Sequence, residues 1–289
     1  MQVGFIGTGL MGLPMAQRLL EAGIELVAYN RTPEKLEPLQ AAGAIIAHQP
    51  TEAIIDSDCV ILMLTNASAI RSLLLSEDAK QHLGGRAVIQ MSTIAPTESI
   101  AIAKEISALR GDYLEAPVLG SIPEAQSGKL IVMVGGTEAQ FERWQGLLQN
   151  FGSEPLLIGK VGSASAIKLA LNQLIASLST AFALSLGFVE RQGADVDVFM
   201  QILRQSALYA HTFDKKLQRM RDRDFANPNF PTKHLLKDTE LFINEAQESG
   251  IDVSSIEGVK KILEIAITSG FADADYSSLF SAILGDREV

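Results

Sequence analysis

Glycines at positions 7, 9 and 12 stand where the apolar run Val3–Ile6 gives way to an amphipathic segment. Within a strand–turn–helix unit of about 30 residues, each glycine has its own steric task. Gly7 permits the tight turn, Gly9 lets another group approach the main chain, and Gly12 lets helix and strand pack closely. A helix opening on such a turn offers amide donors and the positive end of its dipole, which suits a pyrophosphate. The stretch Gly7, Thr8, Gly9, Leu10, Met11, Gly12 therefore predicts a dinucleotide site. A glycine-rich turn without a ligand accounts for neither the spacing nor the position.

Short apolar runs then alternate with amphipathic segments. Strands are expected at Val3–Ile6, Glu25–Tyr29, Ala44–Ala47, Cys59–Leu64, Ala87–Met91, Tyr113–Ala116, Leu130–Val134 and Pro155–Ile158. Alternation at this spacing predicts βαβ units and a mainly parallel sheet covered on both faces. From Gly162 strand signals vanish, and helices are expected near 195–206, 212–222, 235–249, 255–270 and 277–284. The fold class is α/β: a Rossmann-type, doubly wound domain over residues 1–161, then an all-α domain over 162–289 built on a long inter-domain helix. The charged run Lys215–Asp224 reads as a solvated helix face.

That inter-domain helix is the run Val161–Val189, 29 residues in which Lys168 is the only charge. As one helix it is about 42 Å long and apolar almost all round, hence buried. A membrane span fits the length, but Asn172, Gln173 and several hydroxyls interrupt it. A lysine reaching solvent from the helix end, or one paired with a distant carboxylate, stays open. A buried ammonium is costly, so a functional lysine is the third reading. Asn172, four residues on, lies over the same helical face.

With 289 residues, 47% hydrophobic and 20% charged, the chain has room for two domains and a sizeable core. A net charge of −10 argues against a nucleic-acid binder. The single cysteine, Cys59, sits in an apolar run and reads as a structural thiol of a reducing, cytoplasmic setting. No His, Cys and Asp cluster has metal-ligand spacing, and no Ser-His-Asp arrangement is identifiable. Neither a metal nor a membrane location is expected.

The end of the second strand selects the dinucleotide. An NAD site normally places an acid there for the ribose hydroxyls, but this chain has Asn30, Arg31 and Thr32. An arginine fork beside a hydroxyl suits a phosphate monoester, so NADP(H) is expected. A plain surface arginine is the competing reading.

Together, these segments resemble the β-hydroxyacid dehydrogenase family over nearly the whole chain. The nucleotide motif continues through Leu10-Met11-Gly12-Leu13-Pro14-Met15-Ala16. Gln90-Met91-Ser92-Thr93-Ile94-Ala95-Pro96 is similar to the family's strand-end segment, and Glu115-Ala116-Pro117-Val118-Leu119-Gly120-Ser121 to its substrate motif. Gly162 through Lys168 to Asn172 resembles its catalytic helix. Phe230-Pro231-Thr232-Lys233-His234-Leu235-Leu236-Lys237-Asp238 resembles the glyoxylate and succinic semialdehyde reductase subgroup.

The resemblance implies Lys168 as proton donor and Thr93, Gly120, Ser121, Asn172, Phe230 and Asp238 as substrate residues. It implies Leu64, Thr93 and Lys237 beside the glycine turn and Arg31 as cofactor residues. Thr93, Phe230 and Lys237 also have plain readings, as a strand-end hydroxyl, a core aromatic and a solvated lysine; His234 reads as structural. Leu119 stands where the family usually has a substrate-binding serine, and Gln90 where an aspartate is common.

The implied reaction is NADPH-dependent reduction of a small, carboxylate-bearing aldehyde or keto acid, such as glyoxylate or succinic semialdehyde, to a hydroxy acid. A 3-hydroxyisobutyrate-type dehydrogenase working oxidatively and a non-catalytic NADP-binding sensor are the alternatives. The length of the apolar helix adds the expectation of a homodimer or homotetramer.

Overall fold

A computed structural model describes residues 1–55 and 57–285. Its contacts divide the chain into two compact units, Met1–Lys168 and Leu169–Val289. The long helix spans Ser163–Arg191, so its first residues belong to the first unit.

Among the described residues of the first unit nine strands form, in chain order: β1 Gln2–Ile6, β2 Glu25–Tyr29, β3 Ile45–Ile46, β4 Cys59–Leu62, β5 Ala87–Gln90, β6 Asp112–Glu115, β7 Val118–Leu119, β8 Ile131–Gly135 and β9 Leu156–Gly159. Their spatial order is β3-β2-β1-β4-β5-β6-β8-β7, with β9 also paired to β8. Pairings from β3 through β6 are parallel, while β8 runs antiparallel to β6 and β7. Chain order reverses at β1, where Gly4 pairs with Val27 of β2 on one side and Val60 of β4 on the other. Ligands of open parallel sheets bind outside the carboxyl ends of strands flanking such a reversal.

Period-two alternation sends successive side chains to opposite faces. Cys59 and Ile61 of β4 join the cluster containing Phe5, Met15, Leu19 and Phe151. Val60 and Leu62 join the other, with Ile54, Ile70, Val88 and Ile102. Burial pushes the Cys59 thiol up to about 12, in keeping with a packing role.

The second unit is helical in its described residues. Ala176, Phe182, Ala183 and Leu186 of the long helix pack with Leu235, Leu263 and Phe280. By length and composition this helix could cross a membrane; in the structure these positions are core. Its opposite face leaves Leu174, Leu178, Leu184 and Phe188 exposed. Helices follow at Val196–Gln205, His211–Asp222, Thr232–Glu248, Ser254–Ala266 and Leu279–Leu284.

Several boundaries differ from the sequence expectation. Strand β7 lies outside every expected strand, because two residues after Pro117 are too few to show alternation. The helix expected near 255–270 ends at Ala266 and continues as a π turn, Ile267–Phe271, in which Gly270 takes a positive φ of 94°. The charged run is not uniformly solvated: Lys216 is 7% exposed, with Nζ 2.8 Å from Asp275. Pairing is what lets a lysine lie on the buried side of an otherwise charged helix.

Candidate active site

The glycine turn joins β1 to the helix Gly12–Glu21. Gly7 has a φ of 102°, and a Cβ there would come 2.3 Å from Met63 O. A Cβ on Gly12 would come 1.9 Å from Gly7 O, so helix and turn touch through their main chains. No atom of the described residues lies within 4 Å of where a Cβ on Gly9 would stand. No side chain caps the helix at Met11, and the preceding Leu10 is exposed. Free approach at Gly9 beside an uncapped helix start fits a diphosphate bound to backbone amides.

At the end of β2 the three expected residues divide their tasks. Asn30 Oδ1 accepts from the Thr8 amide at 3.2 Å, and its Nδ2 donates to Thr32 O at 2.9 Å. Asn30 thus ties the glycine turn to the next loop. Arg31 and Thr32 are exposed and leave the side chains a phosphate would meet. Lys35, which sequence reasoning missed, belongs here: it is exposed in the 3₁₀ turn Pro33–Leu36, and its carbonyl accepts from Thr8 Oγ1. A second cation four residues after Arg31, just past Pro33, was the available signal.

Leu64 and Thr93 follow the carboxyl ends of the neighbouring strands β4 and β5 and are half-buried. Their segments are joined where the Leu64 amide donates to Ser92 Oγ at 2.7 Å. Gln90 turns back on its own strand end, Oε1 accepting from the Ser92 amide and Nε2 donating to Ser92 O.

Gly120 follows β7 with a φ of 137°, beside half-buried Leu119. Ser121 is implied as a substrate residue, but its amide already donates to Glu124 Oε2 at 2.8 Å, and its hydroxyl donates to the same oxygen. Ser121 and Glu124 form the capping box of the short helix Ile122–Gln126. A substrate carboxylate at that amide has to replace a carboxylate already there.

Lys168 is 8% exposed and is the last residue of the first unit. One turn on along the same helix, Asn172 is 2% exposed. Within the second unit, Asn172 Nδ2 donates to Asp238 Oδ2 at 2.6 Å, and Lys237 Nζ lies 2.8 Å from Asp238 Oδ1. Asn172 Oδ1 has no hydrogen bond among the described residues. A buried amide oxygen without a donor is costly, and this one is left able to accept a hydrogen bond.

Phe230 precedes the helix carrying Lys237 and Asp238, and meets Tyr276 edge-on at 5.9 Å. Burial, then the nearby Lys237 and Lys233, lower the His234 imidazole below its ordinary range, which keeps it neutral near pH 7. Among the described residues no three His, Cys, Asp or Glu side chains converge as metal ligands.

Known proteins are similar to this chain over nearly its whole length. The family model for the NAD binding domain of 6-phosphogluconate dehydrogenase matches residues 2–161. The model described as NAD-binding of NADP-dependent 3-hydroxyisobutyrate dehydrogenase matches 162–283. Glyoxylate/succinic semialdehyde reductase 1 of Arabidopsis thaliana is 30% identical over 290 residues, spanning 100% of both chains. The 2-hydroxy-3-oxopropionate reductase of Escherichia coli is 33% identical over 288 residues, covering 98% of this chain and 97% of the other. The crystal structure of 3-hydroxyisobutyrate dehydrogenase from Salmonella typhimurium superposes with a TM-score of 0.87 at 26% identity, covering 97% of this chain and 99% of that one. The chain belongs to the β-hydroxyacid dehydrogenase family, NAD(P)-dependent oxidoreductases acting on CH–OH groups.

Proposed function

We propose that the protein is an NADPH-dependent reductase of small aldehydes or keto acids that carry a carboxylate, glyoxylate and succinic semialdehyde among them, with Lys168 as proton donor. One observation carries the reading: a buried lysine and a buried amide stand one turn apart on a single helix, and the amide oxygen has no hydrogen-bond partner among the described residues. When bound, NADPH would supply a hydride to the carbonyl carbon. Negative charge then grows on the carbonyl oxygen, and the Lys168 ammonium stabilises it and delivers the proton. Asp238 fixes the rotamer of Asn172 through Nδ2, which leaves Oδ1 as an acceptor for an ammonium N–H or a substrate hydroxyl.

Arg31 and Lys35 would hold the 2′-phosphate of NADPH, while Gly7, Gly9, Leu10, Met11 and Gly12 hold the diphosphate. Leu64 and Thr93 are assigned to the nicotinamide side, Lys237 to the cofactor, and Gly120, Ser121 and Phe230 to the substrate. The names of the Arabidopsis and Escherichia coli relatives support reduction as the working direction.

The test is a panel of glyoxylate, succinic semialdehyde, tartronate semialdehyde and 3-hydroxyisobutyrate with each cofactor, run on the wild type and on Lys168→Met. The variant is expected to lose turnover by at least about 100-fold while NADPH affinity changes less than twofold. Substantial turnover in Lys168→Met refutes the proton-donor role, and activity confined to 3-hydroxyisobutyrate oxidation refutes the assigned substrate and direction.

We also propose self-association through the apolar stripe Leu174, Leu178, Leu184 and Phe188, since a contiguous exposed face of this kind marks an association surface.

A further inference from the structure

Glu115 ends β6 and is 0% exposed. Its Oε1 accepts from the amides of Gly162 at 2.8 Å, Ala164 at 2.9 Å and Ser165 at 3.1 Å. Its Oε2 accepts from Ser165 Oγ at 2.7 Å and from Ser99 Oγ, which also bonds the Tyr113 hydroxyl. The first amides of any helix lack intrahelical acceptors, and they are usually satisfied by a side chain at the helix start. Here the helix start is Gly162, which has no side chain, and a carboxylate 47 positions earlier does the work. Its negative charge also lies at the positive end of a 29-residue helix.

The structure keeps space for this group. A Cβ on Gly135 would come 2.5 Å from Glu115 Oε1 and 2.7 Å from its Cγ. Glu115 is paired in register with Gln90, the last residue of β5, and the Ala116 amide donates to Gln90 O at 2.7 Å. The strand end that leads into Ser92 and Thr93 is therefore the frame from which the helix start is held. Lys168 lies three residues beyond Ser165, about 4.5 Å along the helix axis and one turn in.

We propose that Glu115 is a positioning residue for the reaction: by gripping the first turn of the helix against the ends of β5 and β6, it sets where Lys168 stands relative to Thr93. The proposal rests on Lys168 being the proton donor. Helix termini fray when their amides lose their acceptors, and a lysine one turn in moves with them. Displacement of about 1 Å at a reacting group is enough to cost roughly 100-fold in rate.

The experiment compares Glu115→Ala with Glu115→Gln, whose amide oxygen can still accept the three backbone bonds while Ser99 and Ser165 turn to accept from its nitrogen. Two readouts are taken well below each variant's melting temperature: steady-state kinetics with NADPH, and hydrogen exchange at the Ala164 and Ser165 amides without cofactor. Glu115→Ala is expected to lose kcat by about 100-fold, with KM and NADPH affinity within about threefold and both amides unprotected. Glu115→Gln is expected to keep kcat within about fivefold and both amides protected. Unchanged kcat in Glu115→Ala overturns the proposal, leaving a purely stabilising cap; a Glu115→Gln as impaired as Glu115→Ala overturns it too. If Glu115→Ala does not fold, Ser99→Ala/Ser165→Ala removes both Oε2 bonds; a kcat loss of about tenfold is then expected, and an unchanged kcat overturns the proposal. The exchange readout needs no substrate, so failure of the Lys168 assignment, read from Lys168→Met, remains distinct from failure here.

Discussion

Lys216→Met isolates what one buried ion pair contributes to the helical unit. Lys216 Nζ lies 2.8 and 2.9 Å from the two oxygens of Asp275 and 4.2 Å from the Tyr276 ring centroid. The lysine side chain is 9% exposed and the aspartate 0%. Burial pulls the Lys216 ammonium below the usual lysine range despite its counter-charge. Burial alone would raise Asp275, but Lys216 and the Ser277 donors hold it below the usual carboxylate range. Removing one partner of a buried pair costs about 3–5 kcal/mol, because the other charge stays behind. Asp275 retains the amides of Asn229 and Ser277 and the Ser277 hydroxyl, and methionine nearly matches the lost volume. The low end, about 3 kcal/mol, is therefore expected. For a unit of this size that lowers the melting midpoint by roughly 10 °C.

The assay is thermal unfolding by far-UV circular dichroism at pH 8 and pH 5, alongside fluorescence of Trp144, which lies in the first unit. In the variant the ammonium is gone, so Asp275 rises above its wild-type range, burial now being opposed only by the Asn229 and Ser277 donors. The folded variant then takes up a proton before the folded wild type as pH falls, and the deficit against wild type narrows from pH 8 to pH 5. Lys216→Met/Asp275→Asn is expected to recover at least half of the loss. A variant melting within 2 °C of wild type at pH 8, or a deficit that widens on acidification, refutes the reasoning. The Asn229 amide donates to Asp275 and the Tyr276 amide to Phe230 O, so the same variant is expected to raise KM for aldehyde substrates.

Arg31→Ala is expected to weaken NADPH binding by at least about tenfold and NADH binding less than twofold, with Lys35→Ala showing a smaller loss of the same sign; titration with each cofactor at two salt concentrations checks this. His234→Asn tests a lowered imidazole: wild type carries stability above pH 6.5 that is lost as pH falls through the unfolded value toward the folded one, and the variant lacks that slope, as urea titrations at pH 7.5 and 5.5 can measure. Leu174→Glu/Phe188→Glu is expected to shift an assembled wild type to monomer in light scattering, and a wild type that is monomeric at micromolar concentration overturns the self-association proposal.

What the sequence disclosed follows from the range of the interactions involved. Apolar runs such as Cys59–Leu62 are local and unbroken, so strands of that kind were legible within a residue or two, whereas the two-residue β7 was not. The glycine turn was legible because each glycine answers to backbone atoms close by in space, as Gly12 does to Gly7. The capping of the long helix was not, because its acceptor belongs to a strand 47 residues upstream. Lys216 was misread as solvated for the same reason: its partner Asp275 is 59 residues away. By contrast, the commitment of the Ser121 amide was there to be read, since Ser121 followed three positions on by Glu124 is a capping box.

The contact between Gly135 and Glu115 also limits how this sequence can drift. A side chain at 135 meets the carboxylate at 2.5 Å, so an alanine can settle there only after position 115 has shortened. A shortened 115 in turn reaches the helix amides only if the chain around Gly162 and Ser165 moves toward it. The order of substitutions therefore matters, and most orders pass through a poorly anchored helix. Positions 115, 135, 162 and 165 are expected to change together across related chains or not at all, as a correlated block in an alignment.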